Sequence, residues 1–261
     1  LNQKSNRRKG VRLGTFFAKK EDTMAVVFQH STLAALMAGL LGGTMRAGDL
    51  LEHGDTGIGT LHGVDGEVII VDGEVYQADQ TGKVNHITDM DAMIPFATVH
   101  NNNDATEKIT LQNVDMDHID VIDERKLANN FSAIVLRGDF DHVKVRVAPK
   151  ASEPFPSLLE LAENQPVFDR DNVSGTLVGY YSPELYHGVV AAGWHVHFLS
   201  DDREFGGHVL DFNAAELSGD LTVFADYELH LPIDNQAFRE HELDMNGLDD
   251  AIHAAEGNKK D

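Results

Sequence analysis

The chain has 261 residues, 42% of them hydrophobic, and sets 21 Lys and Arg against 43 Asp and Glu for a net charge of -22. That length and apolar share can bury a real core and exclude wholesale disorder, while the negative charge repels phosphate backbones and excludes nucleic acid as a partner. No apolar run approaches the roughly 20 residues that span a bilayer, which excludes the membrane, and zero cysteines exclude disulfides and thiolate metal ligands and suit a reducing cytoplasm.

The first segment is basic. Residues 1–20 hold seven Lys or Arg and no acid, without the continuous apolar core of a secretory signal. Residues 1–23 therefore read as a disordered extension, with Met24 directly before the first patterned stretch. Ser31 is the expected N-cap of a helix whose Leu33, Leu36, Met37, Leu40 and Leu41 make one apolar face before Gly42 and Gly43 stop it. A second helix is expected from Ala47 to His53, ended by Gly54. IGTLHG, EVIIVDG and EVYQ then read as strands joined at Asp65-Gly66 and Asp72-Gly73, favoured hairpin turn pairs.

Residues 101–128 are polar and weakly periodic. FSAIVLRGDFDHVKVRVAP reads as two strands around Gly138-Asp139, the second placing Arg146 on the same face as Lys144. The proline-rich ASEPFPSLLELAENQP, residues 151–166, is the expected boundary between a β-rich subdomain over 24–150 and a C-terminal one over 151–261. Beyond it, strands are expected at GTLVGYYS, HGVVAAGWHVHFLS, GHVLDFNAAEL and DLTVFADYELHLP, then short helices from about Asn235 to Glu256. The fold class is α+β, mostly antiparallel sheet with short peripheral helices.

GWHVHFLSDDREFGGHVLDF, residues 193–212, carries the strongest chemical signal. In a strand, residues i and i+2 point the same way with Cα atoms about 6.6 Å apart, so His195 and His197 share a face while Trp194, Val196 and Phe198 make the apolar opposite one. Ser200 to Gly207 supplies a turn, and His208 returns opposite the first two. Three imidazoles converging with an open fourth position is the arrangement of catalytic zinc; structural zinc normally takes four protein ligands. The plain alternative is three half-buried strand histidines hydrogen-bonded to neighbours. The other His residues, His86, His100, His118 and His142 among them, get no functional weight from number alone. A cupin would place a glutamate where Asp201 and Asp202 stand and its last histidine on a more distant strand, so that reading is disfavoured.

From about Phe28 to the C-terminus the chain resembles the α-acetolactate decarboxylase family. FQHSTLAALMAGLLGGTMRAGDLLEHGDTGIGTLHGVDGE is similar to that family's N-terminal signature. FSAIVLRGDFDHVKVRV is similar to its middle block, and GYYSPELYHGVVAAGWHVHFLSDDREFGGHVLDF to its histidine block. His30 and Val64 depart from the commoner residues at their positions.

The resemblance implies that His195, His197 and His208 bind zinc. It further implies that Arg146 of VKVR is the active-site arginine, that Glu67 of VDGE and Glu256 of AIHAAEG are active-site carboxylates, and that Thr60 lines the pocket. Taken singly, Arg146, Glu67 and Glu256 would read as solvated side chains and Thr60 as a strand former. The implied reaction is zinc-dependent decarboxylation of the anionic 2-hydroxy-3-keto acid 2-acetolactate to (R)-acetoin and CO2, in acetoin and butanediol biosynthesis, by a cytoplasmic homodimer. Two other readings stay open: a zinc hydratase or hydrolase in which metal activates water, and a metal-binding protein without catalysis.

Overall fold

The computed structural model of the chain describes residues 24–162, 165–242 and 252; the expected extension over 1–23 and Glu256 lie outside them. Among the described residues the strands are β1 (Val26–His30), β2 (Met45–Arg46), β3 (Thr56–Leu61), β4 (Asp65–Val71), β5 (Glu74–Ala78), β6 (Val84–Ile87), β7 (Met93–Ile94), β8 (Phe96–His100), β9 (Glu107–Asp115), β10 (Ser132–Arg146), β11 (Val167–Ser182), β12 (Gly193–Ser200), β13 (Gly206–Val223) and β14 (Asp226–His230). Short helices α1 (Leu33–Met37), α2 (Ala47–Leu51), α3 (Val121–Arg125), α4 (Leu158–Ala162) and α5 (Gln236–Glu240) sit between them. The α+β class expected from the sequence is what forms.

β14-β1-β8-β3-β4-β5-β6 make a seven-stranded sheet in which only β1 and β14 run parallel. β10-β11-β12-β13-β9 make a second sheet, and β10 pairs with β13 as well, so this sheet closes into a barrel. Its interior holds Phe140, Phe198, Phe212, Val143, Val145 and Val209, the inward half of each alternating strand. The EVIIV run of β4 is buried on both faces. Ile69 and Val71 meet Val178 and Leu199 of the barrel, while Val68 and Ile70 pack against Leu50 of α2. Burial of both faces is why that run lacks alternation.

Several expected elements take different bounds. The cap of α1 is Thr32, whose Oγ1 accepts from Ala35 N–H at 3.2 Å, and Ser31 turns the chain with φ 66°. Gly138-Asp139 makes no turn: β10 runs through it, held by β11 on one side and β13 on the other. GHVLDFNAAEL and DLTV likewise form one strand, β13, because both of its edges find partners, whereas the following YELH leaves for β1. Residues 187–192 precede β12 as irregular chain. The sheets also divide the chain differently from a boundary at 151–166. That segment joins β10 to its antiparallel neighbour β11, and β9 and β10 belong to the barrel.

Candidate active site

The three histidines meet because of register. His197 of β12 pairs directly with His208 of β13, and His208 pairs on its other edge with Arg146 of β10. The three side chains thus form one row across the barrel's outer surface, with His195 two residues along β12 on the same face. Position 210 is decisive. β10 and β13 shift register by one residue, from Lys144 opposite Asp211 to Val145 opposite Val209, leaving Leu210 as a bulge. Without the extra residue Arg146 would oppose Val209, which points into the barrel; the bulge instead brings it level with an outward-facing histidine. Gly207 makes the close approach possible. At φ +148° a Cβ there would lie 2.8 Å from the Arg146 carbonyl oxygen.

The seven-stranded sheet supplies the facing wall. Thr60 of β3 and Glu67 of β4 are direct partners, placed by the turn at His62–Val64 and by a bulge at Gly66, where the expected Asp65-Gly66 turn is part of β4 instead. Gly66 has φ 75°, and a Cβ on it would collide with the Ala78 carbonyl, so only glycine fits. Thr60 Oγ1 donates to Gly66 O at 2.7 Å, tying the strand to the bulge. Glu67 Oε1 accepts from Ala148 N–H at 3.0 Å, which aims the carboxylate across at the barrel. Thr60, Glu67, Arg146 and the three histidines line one small cleft, walled by Leu33, Leu36, Val64 and Phe96. Arg146 and Lys144 do share a face by alternation, but that face is covered at Arg146, 9% exposed, and open at Lys144.

His195, His197 and His208 each bring a potential ligand atom within 4.8 Å of the others, with ring centroids 4.8 to 5.5 Å apart. His197 Nδ1 lies 2.9 Å from Val68 O. A carbonyl only accepts, so Nδ1 carries the proton and Nε2 the lone pair. That Nε2 is buried, has no hydrogen-bond partner, and stands 3.5 Å from Glu67 Oε2. His208 Nε2 receives Arg146 Nη2 at 3.2 Å, and because guanidinium only donates, this nitrogen also carries a lone pair. Burial, helped by the Arg146 charge, pushes His195 down to about 3; burial, then His195 and Arg146, holds His197 well below the ordinary range. The imidazoles are therefore neutral and basic toward a cation rather than a proton. An orphaned buried lone pair beside two more imidazoles and a carboxylate fits a zinc ion.

Sequence reading did not find the supports: the Val68 carbonyl, the Ala148 N–H and the Phe96 wall. The first two are backbone groups that only register reveals, and Phe96 carries no local signal. Glu256 lies outside the described residues, but Ile252, four positions earlier, is buried in the cluster that includes Leu33, Val64 and Phe96. His86, His118 and His142 pair with exposed carboxylates, as expected of solvated histidines.

A family model described as alpha-acetolactate decarboxylase matches residues 27–245. The alpha-acetolactate decarboxylase of Lactococcus lactis subsp. lactis is 39% identical over 234 residues, 88% of this chain and 98% of that protein. That of Streptococcus thermophilus is 44% identical over 71% of this chain and 79% of its own. Among solved structures, alpha-acetolactate decarboxylase from Bacillus subtilis strain 168 superposes with TM-score 0.83 at 27% identity, covering 88% of this chain and 99% of that one. A Staphylococcus aureus protein described as similar to alpha-acetolactate decarboxylase gives TM-score 0.84 at 38% identity over the same shares.

Proposed function

The chain belongs to the alpha-acetolactate decarboxylase family, and from that premise we propose that it decarboxylates 2-acetolactate to (R)-acetoin at a zinc ion held by His195, His197 and His208. The observation that carries the metal is the buried, partnerless Nε2 of His197, facing Glu67 within reach of two further imidazoles.

Zinc bound by the three imidazoles would supply Lewis acidity to the substrate's ketone and hydroxyl oxygens. Arg146 binds the carboxylate, its planar fork matched to two oxygens, and sets the scissile C–C bond in the cleft. When that bond breaks, CO2 leaves and the electron pair moves onto the neighbouring carbonyl oxygen. A carboxyl group of Glu67 or Glu256 then delivers one proton to the carbon that lost CO2; delivery from one side gives one enantiomer. Thr60 and Phe96 narrow the cleft around the small acid. The product is neutral, so Arg146 no longer holds it. Support for Glu256 comes from Ile252, four positions earlier, whose own side chain is buried with Leu33, Val64 and Phe96 of the pocket wall. Among the described residues β6 and β14 are the outermost strands of the seven-stranded sheet, which supports a homodimer formed by sheet extension, and the cysteine-free composition accords with the cytoplasm.

Incubation of the purified protein with racemic acetolactate, before and after chelation and zinc restoration, tests this reading. Acetoin that vanishes with the metal and returns with zinc is the expected result; none from folded, zinc-loaded protein overturns it.

A further inference from the structure

We propose that His30 and His230 form a second metal site, separate from the histidine row of the barrel, that takes a late first-row divalent cation of the Cu2+ or Ni2+ type. The two residues are direct partners in the parallel β1–β14 ladder, at the edge of the seven-stranded sheet, and their Nδ1 atoms lie 2.9 Å apart. Two nitrogens bound at right angles to one ion, each about 2.0–2.1 Å from it, are themselves about 2.9 Å apart. The pair already has the bite of a cis chelate. Neutral rings at this distance share one proton, the donor Nδ1–H on one and the acceptor lone pair on the other. A cation that displaces this proton gains both lone pairs, the rings turning so that the lone pairs converge beside the former bond.

Three further features suit the assignment. The far nitrogen of His30, Nε2, is bonded to Thr44 Oγ1 at 2.7 Å, the kind of outer partner that fixes a ligating imidazole's orientation. Phe28 stacks against His53 at 3.6 Å between centroids and lies 6.1 Å from the His230 ring, flanking the pair. Access comes through His230, which is exposed and lines a cleft with Thr44, Asp234 and Asn235. Water from that cleft completes the coordination, and Asp234 adds negative charge to it. Imidazole pairs with open positions favour tetragonal Cu2+ or Ni2+, and Cu2+ binds most tightly of the series.

Zinc-saturated full-length protein is titrated with Cu2+, followed by electron paramagnetic resonance, with retained zinc measured in parallel. The expected result is one Cu2+ per chain with hyperfine structure from two nitrogens and no loss of zinc. His230→Ala abolishes this uptake; His86→Ala, which removes an exposed histidine elsewhere, leaves it unchanged. A His195→Ala/His197→Ala chain still takes up the same copper, so the result does not depend on what the barrel site binds. Absence of copper uptake, copper gained only as zinc is lost, or equal uptake by His230→Ala overturns the proposal. Because His230→Ala leaves the buried His30 Nδ1 without its partner, that variant is expected to melt somewhat below the parent without metal, and its unchanged zinc content is the check that the fold persists.

Discussion

Arg146 and His208 are cross-strand partners, and the Nη2 of the first lies 3.2 Å from the Nε2 of the second. The one lone pair of that nitrogen cannot serve both the guanidinium and a metal, so a metal on His208 would free the guanidinium to hold an anion beside the histidine row. A lysine offers a point charge in place of that planar fork. Arg146→Lys is expected to lower kcat/KM by roughly 10- to 100-fold, the equivalent of the 1.5–3 kcal/mol carried by a charged hydrogen bond, mostly through KM. Steady-state kinetics with zinc content measured alongside checks this; a variant with full zinc and unchanged KM would show that the arginine does not bind the carboxylate.

Glu67 stands between the two sheets, with Oε1 on the Ala148 N–H and Oε2 3.5 Å from His197 Nε2. Glu67→Gln keeps an oxygen for Ala148, so the fold is expected to hold, but an amide cannot pass a proton. The expected loss in kcat is about 10²- to 10⁴-fold, with KM little changed and the acetoin formed less enantiopure. Chiral chromatography of the product separates proton delivery from mere positioning. Unchanged rate and chirality in both Glu67→Gln and Glu256→Gln would remove carboxylates from the protonation step.

How much of this arrangement was readable beforehand depends on whether the cue is local. His195 and His197 announce themselves by a two-residue spacing that strand geometry makes meaningful, and His208 by a turn's length. The Asp65-Gly66 pair misses the turn, which falls at His62–Val64, and instead opens β4 with a register shift beside Glu67. Arg146 is different. Its approach to His208 depends on a bulge at Leu210 in a strand 64 residues further on, which no property of Leu210 reveals. The expected turn at Gly138-Asp139 failed for a related reason: a local turn preference lost to ladder bonds on both edges of β10. The return of β14 to pair with β1 is equally non-local.

His100 is fully buried, with Nδ1 2.7 Å from the Tyr180 hydroxyl, and burial lowers it from 6.5 to about 4, the nearby Asp55 and Asp220 charges opposing only in part. Between those values the unfolded chain binds a proton that the folded one refuses, so stability is complete above 6.5 and falls as pH drops toward 4. The loss from this residue is on the order of 2 kcal/mol by about pH 5. His100→Gln keeps a partner for Tyr180 and does not titrate, so its urea midpoint is expected to fall less steeply over that range in zinc-loaded protein. Parallel curves for the two proteins would assign the acid sensitivity elsewhere.

Net charge gives the last prediction. With 43 acids against 21 bases, the folded chain concentrates like charges that the unfolded chain spreads out, and this self-repulsion opposes folding. The screening length shortens from about 8 Å at 0.15 M salt to about 3 Å at 1 M, so added KCl is expected to raise Tm by roughly 2–4 °C for each kcal/mol of repulsion relieved. The substrate is also an anion approaching a negative body. Its association is therefore expected to speed up with salt, the reverse of electrostatic steering, because the distant surface carboxylates are screened while Arg146, 9% exposed, keeps most of its attraction. Melting curves and kcat/KM measured in KCl and in NaCl decide the point. Equal increases in the two salts identify screening; a rise in one salt alone identifies ion binding, and a fall in kcat/KM would mean that the field at the cleft mouth is positive despite the charge of the whole.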